Sequence, residues 1–173
     1  PCPITASRAT RPVREAALER INQPLPSAFL FAAVAWRLND WAQPVRRAAV
    51  DCANRCFPST PSKVVADAAL VLMTRESSWG RWSEEKQALS RVLARSDVGV
   101  DLASLFERRT TGPLATVMSY ALRQDSLDPH LEMLVLRATQ PGVRAVAAQS
   151  LIDGHAQWRS GWTRRWIDKP MGL

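Results

Sequence analysis

Histidine, lysine and cysteine are all scarce in this chain, and each scarcity removes a class of chemistry. The two histidines, His130 and His155, belong to no HExxH or HxH pattern and have no cysteine at ligand spacing, which argues against a metal site. The three cysteines, Cys2, Cys52 and Cys56, are odd in number, form no CxxC pair and so set out no disulfide framework. Cys52 and Cys56 lie one helical turn apart on an apolar face and read as small core hydrophobes, with a redox or metal role as the alternative. No GxSxG, P-loop or dinucleotide-binding glycine pattern occurs. Glu84 and Glu85 are adjacent, point in different directions on a helix and read as a solvated helix start rather than an acid/base pair. The expectation is a chain without an active site, a metal or a cofactor. β-Branched runs bounded by turn residues are nearly lacking, so the fold expected is all-α. No apolar run reaches 18 residues, so no transmembrane helix is expected.

What is present is a 173-residue chain, 46% hydrophobic, which suffices for a packed core. Its formal charge is +7, carried by 20 Arg against 3 Lys, so nucleic acid, an anionic membrane or an acidic protein would each be attracted. Abundant Arg and Ala also follow from codon composition alone. The compartment is left open with the cytoplasm slightly favoured, and a start at Pro1 rather than Met leaves a removed targeting segment open.

The organising stretch is Asp40 to Phe57, a polar turn followed by Pro44 and an amphipathic helix. Val45, Ala48, Ala49, Cys52, Ala53, Cys56 and Phe57 recur at three-and-four spacing along one face. Pro44 suits the first helical turn, where its missing N–H has no partner to lose. The same phrase occurs as Pro12-Val13-Arg14 and again as Pro141-Gly142-Val143-Arg144. Val13 and Val45 stand 32 positions apart and Val45 and Val143 stand 98 apart, about three periods of a helical-hairpin repeat.

An Asp followed six positions on by an Arg with a Val just before it, as in Asp40, Val45 and Arg46, resembles the turn and second helix of a HEAT repeat. The resemblance implies a right-handed α-solenoid of stacked antiparallel helix pairs, about four to five in number, over residues 1–173. In that family the Asp and Arg tie successive turns together through a charge-assisted ladder, and small Ala residues allow close packing. Six positions before Arg14 stands Arg8, and before Arg144 stands Ala138, so the ladder is expected to be discontinuous. The family marks a shape more than an activity.

Along the rest of the chain, helices are expected over about 11–21, from Ser27 to Leu38, 63–74, from Ser83 onward, 113–124, 129–139 and 141–152, with Gly154 as a stop. The second of these is apolar on nearly every side and is expected to be buried between neighbours. Residues 96–105 are less regular; Val98-Gly99-Val100 is read as an interruption, with Asp101 capping a short helix to Arg109. The loop around Trp79 and Trp82 and the Trp/Arg-rich tail at 156–173 are candidate partner contacts.

Two surfaces carry the functional expectation. The second helices of the repeat would present Arg14, Arg46, Arg47, Arg55 and Arg144 to an acidic or extended protein partner. In the tail, Trp158, Arg159, Trp162, Arg164, Arg165 and Trp166 would either form a recognition surface or cap the exposed end of the core. The first expectation is therefore a noncatalytic scaffold or a structural subunit of a larger assembly. The alternative is nucleic-acid binding: HEAT-like DNA-repair glycosylases grip the DNA backbone on a basic concave surface, though no catalytic residue of theirs has a counterpart motif here.

Overall fold

In a computed structural model, residues 10–75, 79 and 85–156 are described, and among them all regular structure is helical. Among the described residues nine α-helices follow one another: α1 (Arg11–Arg20), α2 (Ala28–Arg37), α3 (Gln43–Cys56), α4 (Ser62–Arg75), α5 (Lys86–Leu93), α6 (Ser96–Arg108), α7 (Leu114–Ala121), α8 (Leu131–Arg137) and α9 (Pro141–Asp153). A 3₁₀ turn, Asp125–His130, leads into α8. Each copy of the repeated phrase opens a helix with proline in its first two positions, at α1, α3 and α9. Ser27 caps α2 by accepting the Leu30 N–H at 3.3 Å. Gly154 closes α9 at φ +65°, where a residue without Cβ is unstrained.

With the exception of α5 and α7, helices two apart in the chain pack side by side. Among the odd-numbered helices α1 lies on α3, α3 on α5, and α7 on α9; among the even-numbered ones α2 lies on α4, α4 on α6, and α6 on α8. Contacts of α2 with α3, α4 with α5, and α8 with α9 join the two sets, whereas α7 turns aside to pack on α4. One hydrophobic cluster runs through both sets, with Phe31, Val45, Cys52, Phe57, Leu72, Leu102, Met118 and Leu134 all sealed from solvent. Phe31 of α2 and Phe57 after α3 stack with ring centroids 4.3 Å apart. Thr60, the one buried hydroxyl between α3 and α4 among the described residues, accepts the Leu25 N–H at 3.1 Å and donates to the Cys56 carbonyl at 2.8 Å.

Three expectations are corrected. Residues 96–108 form one continuous helix, α6, and Gly99 is a packing position rather than an interruption. A Cβ there would stand 2.1 Å from the Ser126 carbonyl oxygen, so the missing side chain is what lets the 3₁₀ turn lie on α6. The helix expected over 129–139 begins only at Leu131, as α8, because Asp125–His130 forms a 3₁₀ turn ahead of it. Finally, α2 is not enclosed: Phe29, Leu30 and Trp36 are exposed while Phe31, Val34 and Ala35 face the core. Being apolar all round reflects one face in the core and a second one in solvent.

Candidate functional site

Asp40 ends the turn after α2, and its side chain, 1% exposed, collects donors from three directions. Arg14 Nη1 of α1 lies 3.2 Å from Oδ2 and Arg37 Nη1 of α2 lies 3.0 Å from the same oxygen. The Ala42 N–H donates to Oδ1 at 3.0 Å, which fixes the turn into α3. The Arg14 guanidinium also stands 5.7 Å from the centre of the Trp41 ring. A carboxylate this deeply buried is tolerable only when paired and hydrogen-bonded, and both conditions hold.

Arg46 continues the connection. Its Nη1 donates to the Asp40 carbonyl at 3.0 Å, and its Nε meets Glu85 Oε1, just before α5, at 2.9 Å. Arg144 uses the same register: Nη1 donates to the Ala138 carbonyl, six positions back, at 2.7 Å. The helix-opening Arg therefore binds the carbonyl of residue i−6 whether an Asp or an Ala stands there, because the acceptor is backbone. Only the lateral rung needs the acid. Rungs run from α1 to the turn before α3, through Arg14–Asp40, and from α3 to the start of α5, through Arg46–Glu85.

Of the five helix arginines expected at the surface, four have internal partners. Arg14, Arg46 and Arg144 are half-buried in the contacts above, and Arg55, though exposed, donates from Nη2 to the Leu18 and Ile21 carbonyls at 3.2 Å each. Arg47 is exposed and holds no ion pair or hydrogen bond from its side chain. The tail residues Trp158, Arg159, Trp162, Arg164, Arg165 and Trp166, and the loop residue Trp82, lie outside the described residues. Trp79 is buried, with its ring 5.7 Å from that of Trp36.

The outer face of α1, α3 and α5 carries two grooves. That between α1 and α3, about 250 Å³, is lined by Glu15, Glu19, Arg47, Asp51 and Arg55 together with Pro44 and Ala48. That between α3 and α5, about 670 Å³, is lined by Gln43, Arg46, Arg47, Val50, Asp51, Glu85, Gln87 and Arg91. Arg47 and Asp51, one turn apart on α3, form the ridge between them. Both grooves carry charge of both signs, so the chain's surplus of arginine is not concentrated on this face.

Sequence reasoning missed Glu85, Arg91, Gln43 and Gln87. Glu85 was expected to be a solvated helix start, yet it forms the rung with Arg46; two adjacent acids give no hint of which one faces α3. Arg91 is an ordinary exposed residue by pattern, and only the packing of α5 beside α3 brings it to a groove.

Cys52 and Cys56 are both sealed in the core, and burial, reinforced by the neighbouring Cys56 thiol, pushes the Cys52 thiol up to about 12. Such a thiol is protonated and unreactive at neutral pH. Among the described residues no group of three His, Cys, Asp or Glu side chains could hold a metal ion. No helix among them is long and apolar enough to cross a membrane. Comparison with protein-family models, with curated proteins and with solved structures finds no match to this chain.

Proposed function

We propose that the chain is a noncatalytic protein-interaction scaffold, or a structural subunit of a larger assembly, built as a right-handed HEAT-like α-solenoid whose odd-numbered helices form the docking face. The observation that carries this reading is the pair of lateral rungs, Arg14–Asp40 and Arg46–Glu85, set between helices that also pack side by side. A ladder of this kind ties one helical turn to the next in a single direction, which is what a stacked repeat requires and what a closed bundle does not. The interleaved packing of odd with odd and even with even helices supports the same arrangement. Grooves between parallel helices, lined by unpaired charge and side-chain amides, offer recognition groups but no nucleophile with an adjacent base.

The nucleic-acid alternative draws on the net charge of +7. Against it, Glu15, Glu19, Asp51 and Glu85 stand among the arginines of the α1/α3/α5 face and would repel a phosphate backbone there. A tagged pull-down from the source cells, divided into nuclease-treated and untreated halves and read by mass spectrometry, tests the proposal. Protein partners retained at stoichiometric levels after nuclease are the expected result. Nucleic acid in the untreated half, with every protein lost on treatment and an affinity that falls steeply with salt, would overturn it.

A further inference from the structure

Hydrogen bonds and ion pairs between the turns fix which helix ends stand together. Arg14–Asp40 and Arg46–Glu85 join the starts of α1, α3 and α5. The Thr139 N–H and hydroxyl both donate to the Glu107 carbonyl, at 2.9 and 2.8 Å, and join the ends of α6 and α8. Gln140 Nε2 donates to the Gly112 carbonyl at 3.2 Å and joins the starts of α7 and α9. At the other edge the Thr60 hydroxyl accepts the Leu25 N–H and the Thr60 carbonyl accepts Arg95 Nη1 at 2.8 Å, which joins the starts of α2, α4 and α6. One edge of the fold therefore carries the starts of the odd-numbered helices and the ends of the even-numbered ones.

Every even-numbered helix ends on arginine at this edge, at Arg37, Arg75, Arg108 and Arg137. All but Arg37 are exposed, and Arg11, Arg47, Lys86 and Arg109 add four further exposed cations from the odd helix starts and the turn after α6. The acids of the same edge, taken as the turns with five helix residues on either side, are Glu15, Asp40, Glu85 and Glu107, and none of them is exposed. Asp40 and Glu85 are moreover paired with Arg14, Arg37 and Arg46. The opposite edge, taken in the same way, exposes four cations beside five acids, Glu19, Asp97, Asp125, Asp128 and Glu132. Among the described residues the surplus charge that reaches solvent is thus gathered on one edge. The helix dipole accounts for arginine at a helix end but favours acids at a helix start. None of α1, α3, α5, α7 and α9 has an acid in its first turn, and Arg11, Arg46, Lys86 and Arg144 stand there instead, so helix stability does not explain the pattern.

We infer that this edge binds the phosphate backbone of duplex nucleic acid without reading its sequence. Packed helix axes lie about 8–10 Å apart, so the arginines that close α2, α4, α6 and α8 form a row of roughly 25–30 Å. A duplex carries one phosphate charge about every 1.7 Å of its axis, so such a row meets phosphates in any register. In the turn between α6 and α7, Thr110 and Thr111 are exposed and their hydroxyls and N–H groups hold no hydrogen bond; donors of this kind contact phosphate oxygens. Charge alone distinguishes the edge among the described residues. The exposed large apolar side chains divide evenly, with Val13, Trp36, Trp41, Val71 and Leu136 on it and Phe29, Leu30, Val100, Leu151 and Ile152 on the opposite edge. A protein interface with an apolar core, or a face inserted in a membrane, would gather the apolar groups with the cations. A single strand would call for open aromatic platforms, whereas Trp41 lies against Arg14 and Trp36 against Trp79. The inference goes beyond the scaffold reading and does not depend on it, because the docking face of that reading is the outer face of the odd-numbered helices.

Anisotropy of a fluorescein-labelled duplex of arbitrary sequence, titrated with the full chain at several salt concentrations, tests this. Binding is expected at low salt, with log K falling against log salt at a slope of about −4 or steeper, the mark of four or more phosphate contacts. Arg109→Glu with Arg137→Glu is expected to weaken binding at least tenfold and to flatten the slope by about two. Arg20→Glu with Lys63→Glu makes the same change of charge at exposed positions of the opposite edge and is expected to cost about threefold or less. Circular dichroism shows that both variants are folded, and the milder Arg109→Gln with Arg137→Gln is expected to flatten the slope in the same way. Equal losses in the two charge-reversed variants, a flat salt response or no binding at low salt would overturn the inference. A parent chain that prefers poly-glutamate or phosphatidylserine vesicles to the duplex would overturn the occupant and assign the edge to an acidic protein or to a membrane. Protein partners that survive nuclease in the pull-down bear on the scaffold reading alone, whichever way the duplex result falls.

Discussion

Arg14 and Asp40 lie 26 positions apart in the chain and 3.2 Å apart in space, joining the first helix to the turn that launches the third. Arg37 shares the same carboxylate oxygen and the Ala42 N–H takes the other, so one buried acid fixes the relative placement of α1, α2 and α3.

Removal of this acid leaves two guanidiniums and a backbone N–H without their acceptor. Asp40→Ala is expected to destabilise the fold by about 3 kcal/mol, a fall in Tm of roughly 10 °C for a chain of this size. Arg14→Ala is expected to cost less, because Arg37 still neutralises the carboxylate. Thermal unfolding followed by circular dichroism checks both; equal and small shifts would show that Asp40 is a surface residue in solution.

Val45 is fully buried at the start of α3, as the three-and-four spacing of that helix's apolar positions predicts, whereas Val13, its counterpart in the first copy of the phrase, is exposed. Val45→Asp places an unpaired carboxylate in the core and is expected to cost several kcal/mol, about 3 or more. An unchanged denaturant midpoint would refute the register of α3.

Local features were the legible part of this fold. Helix starts at proline, the Ser27 cap and the Gly154 stop depend on neighbours within one turn, and the apolar face of α3 follows from spacing alone. What escaped depends on a partner distant in sequence. Gly99 reads as a helix breaker until Ser126 is known to press on it, and Phe29 reads as core until the packing on α2 shows which face was left in solvent. The candidate site divides in the same way. Arg46 and Arg47 were both visible as surface cations, but that one is spent on Glu85 and the other is free follows only from how α5 lies beside α3.

Gly99 supplies a direct test of close packing between α6 and the 3₁₀ turn. A methyl group there would meet the Ser126 carbonyl oxygen at 2.1 Å, and that oxygen is backbone, so the two elements must separate. Gly99→Ala removes an entropic cost of the unfolded chain worth well under this strain, and a net loss of about 1–3 kcal/mol is expected. A stabilised Gly99→Ala variant would show that α6 and the 3₁₀ turn are not in contact.

The rung between α3 and α5 is measurable by a double-mutant cycle on Arg46→Ala and Glu85→Ala. Both side chains are about four-fifths buried, 18% and 19% exposed, so a coupling of about 1 kcal/mol is expected, above the usual yield of an exposed pair. Arg46→Ala also frees the Asp40 carbonyl, so only the coupling, and not either single loss, measures the rung. A coupling indistinguishable from zero would remove this rung from the ladder.

Cys52 links the core to pH. Its folded-state thiol is raised to about 12 from an ordinary value of 9.0, first by burial and then by Cys56, so the folded chain holds that proton more tightly than the unfolded chain. Stability from this source is complete below pH 9 and is lost as pH rises from there toward 12, where the unfolded thiol ionises and the folded one does not. The loss approaches about 1.4 kcal/mol per pH unit within that window. The informative quantity, which isolates this thiol, is the difference in urea-unfolding free energy between the parent chain and Cys52→Ala at pH 8 and pH 10.5. The parent is expected to lose more stability over that interval than the variant, and native-state alkylation at pH 8 is expected to leave Cys52 and Cys56 unmodified while both react in urea. Equal pH slopes, or alkylation of Cys52 in the folded chain, would place α3 with its cysteine face in solvent and undo the core described around Val45 and Phe57.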